Sequence, residues 1–264
     1  MTAPQTPARR ALTFAASLGA LVLLWSALAL LRADPEVLPG PAEVARILWD
    51  ETVNGPLLHH LWATLRRVAL AFFLSMCFGA MLGYALGVLP RLNALAGPWV
   101  VVFLNIPALV VIVLCYLWIG LNETAAIVAV TLNKTAMVLV TMREGVQAMD
   151  RQVHEMARIY RLSPLARLRH VILPQLAPYL AISARNGLAI IWKIVLVVEF
   201  LGRSDGIGFQ IHLYFQLFQI GEVLAYALSF VAVMLAIEVL LLAPWERAAR
   251  AWRTRGGTPS GVPA

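Results

Sequence analysis

Residues 155–174 read EMARIYRLSPLARLRHVILP, Glu155 through Pro174. Arg158, Arg161, Arg167 and Arg169 are interleaved with Met156, Ile159, Tyr160, Leu162, Leu165, Leu168 and Val171. Apolar residues recurring every three or four positions beside charged ones describe an amphipathic helical segment. The segment lies between strongly hydrophobic runs, so its apolar face meets either a lipid surface or a partner protein.

Working outward, the chain has 264 residues, of which 61% are hydrophobic and 13% charged, with a mean hydropathy of +0.78. A soluble domain carries about 25% charged residues, so the composition is that of an integral membrane protein. A chain of this length accommodates about six helical spans of ~20 residues in one domain. The net charge of +7 is set by arginines clustered between the apolar runs, where the positive-inside rule places them, and does not call for a nucleic-acid partner. Cys77 and Cys115 sit inside apolar runs without metal-ligand spacing and read as small buried hydrophobes.

Spans are expected at about 11–31, 63–89, 97–119, 123–142, 176–201 and 222–244. The run 11–31 exceeds the ~7–15 residues of a signal-peptide core and reads as a retained span, with cleavage after an Ala-Leu-Ala sequence as the competing reading. Pro35, Pro39 and Pro41 break the polar stretch after it, and Val44, Ile47 and Leu48 mark a short surface helix. Gly79, Gly83 and Gly87 form a smooth stripe for helix packing. Pro90 to Asn93 reads as a tight turn, and Pro107 kinks the third span. With the amino terminus inside, thirteen arginines fall in inner segments and five in outer ones, which puts both termini in the cytoplasm. Residues 1–10 are then a cytoplasmic tail, 11–245 the transmembrane domain with its loop at 143–175, and 246–264 a second cytoplasmic tail without fixed structure.

Glu155-x-Ala157, position 161 and Val171-x-Leu173-Pro174 resemble, at every spacing, the EAA motif of ABC importer permeases. The family pattern is E-A-A, three residues, G, nine residues, I-x-L-P. Met156 stands for an alanine, Arg161 for the glycine and Val171 for the isoleucine. The glycine normally eases a bend between two short helices. Ser163 as N-cap and Pro164 as first helical residue could move that bend two or three residues on, and Arg161 could pair with an acidic partner residue. The resemblance extends over about residues 38–245. It includes Leu38-Pro39-Gly40-Pro41, Leu61-x-x-Thr64-Leu65-x-Arg67, Ile106-Pro107, and Glu199-Phe200-Leu201-Gly202 through Gly206-Ile207-Gly208. These are similar to the binding-protein-dependent permeases for sulfonates, taurine and nitrate.

The resemblance implies an all-α polytopic fold of about six spans in the type I importer arrangement, in a bacterial inner membrane. It implies a translocation subunit with no catalytic residues and no cofactor of its own. Its partners would be a cytoplasmic ATPase dimer, an outer substrate-binding protein and a second permease chain, in a homodimer or in a heterodimer with a similar chain, within membrane lipid. The residues expected at the ATPase are Glu155, Met156, Ala157, Arg158, Arg161, Ser163, Pro164, Leu173 and Pro174. Ala157 is small enough for close helix–groove contact. The sequence agrees in one respect. The only lysines, Lys134 and Lys193, follow Asn133 and Trp192, so no G-x-x-x-x-G-K-[ST] phosphate loop exists here.

Charges inside spans cost about 2.5–3.5 kcal/mol at mid-span on insertion scales and so face protein or water. Lys134, Arg185, Lys193, Glu199 and Glu238 are such charges. Asn186, Ile190, Lys193 and Val197 share one helical stripe, which makes Asn186 and Lys193, with Glu199, candidate pathway-lining residues. The competing reading pairs Lys134 or Lys193 with Glu199 between helices. Residues 209–218 are too short to span and read as an interfacial or re-entrant helix, with Gly206, Gly208 and Phe209 as a candidate outer gate. Arg66, Arg67 and Arg203 suit either an anionic solute or docking of the binding protein. His59 and His60 have nothing at metal-ligand spacing. An ion-gradient-driven carrier with Lys193, Glu199 and Glu238 as relay groups is the alternative function, and it leaves the loop motif unexplained.

Overall fold

The computed structural model describes residues 7–32, 34, 36–242 and 244. Among them are eleven α-helices: α1 (Pro7–Arg32), α2 (Pro41–Val53), α3 (Leu57–Val88), α4 (Pro90–Asn105), α5 (Ala108–Ile119), α6 (Glu123–Gln147), α7 (Arg151–Ile159), α8 (Pro164–Arg167), α9 (Leu173–Gly202), α10 (Ile207–Gln216) and α11 (Ile220–Ile237). A π-helical turn, Leu168–Ile172, joins α8 to α9, and a second, Glu238–Leu242, extends α11. No strand occurs among the described residues. The tail at 246–264 lies outside them, as do residues 1–6, and α1 already includes positions 7–10, which the sequence had placed in a tail.

Four helical stretches are long and apolar enough to cross a bilayer: Leu57–Val88, Glu123–Gln147, Pro164–Gly202 and Ile220–Leu240. A fifth crossing is available if α4 and α5 count as one, but they meet at 95°. Ala16–Arg32 is a shorter apolar helix. The described residues thus supply four crossings, or five with the bent pair, beside the six expected from the sequence. The bend is at Ile106-Pro107, where proline supplies no N–H to a continuing helix. Pro90 also acts differently from expectation. It is the first residue of α4, with Leu89 alone as the break, because proline's fixed φ suits a first helical turn.

The core is built on α3, α6 and α9. A Cβ on Gly79 would fall 2.5 Å from Val138 Cβ, one on Gly83 2.5 Å from the Leu139 carbonyl oxygen, and one on Gly87 2.5 Å from Val146 Cβ. The glycine stripe thus seats α3 directly on α6, as small residues do between membrane helices. Val68, Ala71, Ala125, Ala129, Val130, Ile191, Val195 and Val198 fill the seam among the three helices, with Ile112 and Cys115 of α5. α6 starts where Gly120 (φ 96°) reverses the chain and the Asn122 side chain accepts the Ala125 N–H, a standard N-cap. α2 buries Val44 and half-buries Ile47 and Leu48. Its Glu51 accepts the Tyr226 hydroxyl at 2.7 Å and the Tyr214 hydroxyl at 3.4 Å, which clasps α2 to α10 and α11.

Candidate functional site

At the end of the bundle where α6 stops and α9 begins, α7 and α8 project as a separate amphipathic unit. Asp150 caps α7 by accepting the Gln152 N–H at 2.8 Å. Gln175 ties this start to α9, accepting the Asp150 N–H at 2.9 Å and donating to the Val171 carbonyl at 3.2 Å. Neither Asp150 nor Gln175 was singled out from sequence, although Asp150 occupies a recognisable cap position before Val153 and Met156. α7 ends on Tyr160, and Arg161 follows with φ 48°. The Leu162 N–H returns to the Ala157 carbonyl and the Arg161 N–H to that of Arg158, satisfying carbonyls that a helix end leaves open.

The position that resembles the family's glycine therefore takes the left-handed backbone that glycine accepts without strain. The expectation that Ser163-Pro164 would displace the bend is corrected: the bend stays at Arg161. Ser163 and Pro164 instead begin the next helix, Ser163 Oγ accepting the Ala166 N–H at 3.3 Å and Pro164 occupying the first turn. Glu155, Met156, Arg158 and Arg161 are exposed, as are Ile159, Tyr160, Leu165 and Leu173, and Pro174 is half-buried. Among the described residues Glu155 pairs with Arg151, at 3.2 Å in a highly exposed pair, and its carboxylate is accessible. Ala157 is a correction. It is 2% exposed, so its small side chain serves packing within this chain and does not face an outside groove.

The opposite end of the bundle holds a compact ion network. Arg67 of α3 is almost fully buried and donates to Glu199 Oε1 at 2.7 Å, to Glu123 Oε2 at 2.8 Å, to the Asp205 carbonyl at 2.9 Å and to the Asp205 carboxylate. Arg203 reaches Glu123 at 3.0 Å, and Arg66 reaches it at 3.4 Å. Three cations meet three carboxylates and join α3, α6, α9 and the segment before α10. The second oxygen of Glu199 accepts the Thr64 hydroxyl and the Gly208 N–H, each at 2.9 Å, while Thr64 Oγ1 accepts the Ile207 N–H at 2.8 Å. Such charge-assisted and multiple bonds are the compensation a buried carboxylate needs. Burial pushes the Asp205 carboxyl up, but the Arg67 guanidinium outweighs it and holds the group below its ordinary range.

This geometry corrects two expectations. Glu199 is fully buried and paired with Arg67, so it neither lines an open pathway nor pairs with Lys134 or Lys193. Held by three donors, it is also not a free relay group. Arg67 and Arg203 are consumed within the network rather than presented to a solute. Glu123 and Asp205 were missed; the signal was that each is an acid at an element boundary on the same end as Arg67. His60 Nδ1 accepts the Gly206 N–H at 3.0 Å, which leaves the proton on Nε2. The Gln210 amide lies 2.6 Å from Nε2, and an orientation with its otherwise unsatisfied Oε1 towards the ring completes the pair. Gly206 (φ 110°) and Gly208 are buried against Glu199 and the Leu196 carbonyl. They are positions of close approach, and with half-buried Phe209 they bolt α10 to the framework instead of hinging it.

On α9, Asn186, Lys193 and Val197 are exposed and Ile190 is half-buried, so the stripe read from spacing is a largely exposed face of this chain. Arg185 and Glu238 form a longer pair at 3.7 Å. Lys134 lies buried at the middle of α6.

Apolar crossing helices, a locked ion network at one end and a protruding amphipathic unit at the other define a polytopic membrane transport domain. Residues 75–244 match the model of the binding-protein-dependent transport system inner membrane component, and the chain belongs to that family of ABC transporter permeases. It is 30% identical over 209 residues to a "Probable ABC transporter permease protein" of Brucella melitensis biotype 1, covering 78% of this chain and 82% of the relative. It is 29% identical over 253 residues to the taurine transport system permease protein TauC of Escherichia coli K12, covering 87% and 89%. The fold is also that of the MetNI methionine ABC transporter in its inward facing conformations, with a TM-score of 0.63 at 20% identity over 76% of this chain and 98% of that one.

Proposed function

We propose that this permease forms half of a homodimeric translocation pathway in a bacterial inner membrane, with α7 and α8 on the cytoplasmic side against a separate ATPase chain. The supporting observation is the exposed amphipathic unit itself. It keeps the motif spacing, turns at Arg161 with φ 48°, and presents Met156, Ile159, Tyr160 and Leu165 together with the accessible Glu155. An apolar helical face rimmed by charge fits a groove in a partner protein. The arginine bias supports the cytoplasmic placement and the cytoplasmic termini.

The solute in this reading is a small organic anion of the sulfonate class, handed over by a soluble binding protein at the α10 end. The likeness to the taurine permease supports that class. The experiment is copurification of the detergent-solubilised chain with a co-expressed ABC ATPase from the same organism, followed by ATP-dependent uptake of labelled taurine in proteoliposomes. Glu155→Lys is expected to abolish copurification while membrane insertion is unchanged. A Glu155→Lys chain that still binds its ATPase and transports normally removes α7 from the coupling role. Uptake by the permease alone on a proton gradient overturns the ATP-driven reading.

A further inference from the structure

Lys134 is the twelfth of the 25 residues of α6 and is 2% exposed. It is therefore a cation at mid-span, where lipid-embedded helices rarely keep one without a function. An ammonium carries three N–H donors and no acceptor. Among the described residues its contacts are Met137 Sδ at 2.8 Å and the Asn186 carbonyl at 3.5 Å. A thioether is a weak acceptor, and 3.5 Å is at the limit for a hydrogen bond. No carboxylate of the described residues reaches Lys134, because Glu199 and Glu123 are both taken by arginines at the end of the bundle.

A small cavity of about 10 Å³ adjoins the ammonium, lined by Lys134, Met137, Val138, Thr141, Ser183 and Asn186. Ser183 is 4% exposed and its Oγ has no hydrogen-bond partner. The lining thus offers an unneutralised ammonium, an unpartnered hydroxyl and the side-chain amide of Asn186. Volume and chemistry match one anionic oxygen, since that space holds a single water-sized group. Gly187, one residue further on α9, gives the lysine its room: a Cβ there would lie 3.3 Å from Lys134 Cε. Asn186 links the cavity to the exposed stripe of Ile190, Lys193 and Val197 on the same helix.

We propose that Lys134, Ser183 and Asn186 form a mid-span subsite that takes one oxygen of the transported solute's anionic headgroup, with the rest of the headgroup and of the solute on the exposed α9 stripe. The subsite rests on the reading of the chain as a permease for small organic anions and deepens it by naming where the charge is recognised. Placement at mid-helix separates it from a lipid headgroup site. A sulfonate oxygen is an acceptor that the Lys134 ammonium and the Ser183 hydroxyl can both donate to.

The test is binding of sodium methanesulfonate to the purified full chain in lipid nanodiscs, followed by thermal stabilisation, with dimethyl sulfone as the uncharged comparison. Methanesulfonate is expected to stabilise the unsubstituted chain and dimethyl sulfone to leave it unchanged. Lys134→Met is expected to weaken the apparent affinity about tenfold or more, the scale of one charge-assisted contact. Ser183→Ala, which leaves the lysine in place, is expected to weaken it a few-fold and carries the test if the first variant does not fold. An unsubstituted chain that methanesulfonate does not stabilise overturns the subsite, as do variants that bind like the parent. Dissociation of the dimer in Lys134→Met, with no methanesulfonate response in the parent, overturns it in favour of a carboxylate from a second copy. Failure of the transport reading shows elsewhere, in ATPase copurification and ATP-dependent uptake, and is distinguishable from all of these outcomes.

Discussion

Arg161 shows how a motif position can be kept in geometry while being lost in residue type. A left-handed backbone costs a non-glycine residue about 1–2 kcal/mol, and Arg161 adopts it because two returning N–H bonds close the end of α7. Arg161→Gly is therefore expected to raise stability by about 1 kcal/mol, visible as a higher thermal midpoint. Arg161→Val, with a branched Cβ, is expected to lower it. Arg67 is the opposite case, a residue whose removal leaves others stranded. Arg67→Met leaves Glu199 buried without its cation, a loss of about 3–5 kcal/mol, measurable by denaturant or thermal unfolding. Arg67→Lys should not restore it, because one ammonium cannot reproduce a fork that serves three carboxylates at once. Asp205 adds a pH dependence. Its folded pKa is depressed from an ordinary 3.8, so its contribution is present above that value and is lost as pH falls through the lower folded one. Asp205→Asn is expected to flatten that part of the acid limb of a stability profile.

Between helices, the same residue type has opposite effects depending on what faces it. Gly83 meets the Leu139 carbonyl oxygen, whereas a Cβ on Gly97 would meet nothing within 4 Å. Gly83→Ala forces α3 away from α6 and is expected to destabilise, since backbone cannot yield as a side-chain tip can. Gly97→Ala, inside α4, is expected to stabilise by up to about 1 kcal/mol through helix propensity alone. Parallel thermal unfolding of the two variants gives shifts of opposite sign. The glycine stripe itself was readable from its four-residue period, and so was the break at Pro107. The angle of that break was not. Proline marks where hydrogen bonding fails, and the neighbours decide how far the pieces swing. The turn expected at Pro90 failed for a related reason, since proline both ends one helix and suits the first turn of the next.

At the level of the whole chain, the membrane class, the family and the amphipathic loop were all legible, because composition and motif spacing are local properties. The ion network was only half legible. A span-embedded Arg67 demands an anion, but Glu123, Glu199 and Asp205 come from three separate elements, and no periodicity links them. Ala157 was misplaced for the same reason: a small residue can face inward or outward, and only the packing of α7 on its own chain decides. The pairing of two copies can be checked on the exposed α9 stripe. In a background lacking Cys77 and Cys115, Lys193→Cys is expected to give a covalent dimer with a short bis-maleimide, and a chain that remains monomeric argues against a homodimer meeting along that face.

The seating of α3 on α6 has a mechanical consequence. The two helices are pinned near one end by Gly79, Gly83 and Gly87 and at the other by Arg67 on Glu123, so neither can slide or twist without the other. They form a stiff rod about 35 Å long, at 1.5 Å of rise per residue. A tilt imposed where α6 hands over to α7 must then reappear, undiminished and in step, at the far tip. If a partner acts there as proposed, its stroke would be set by the lever, and selectivity could be tuned elsewhere without altering it.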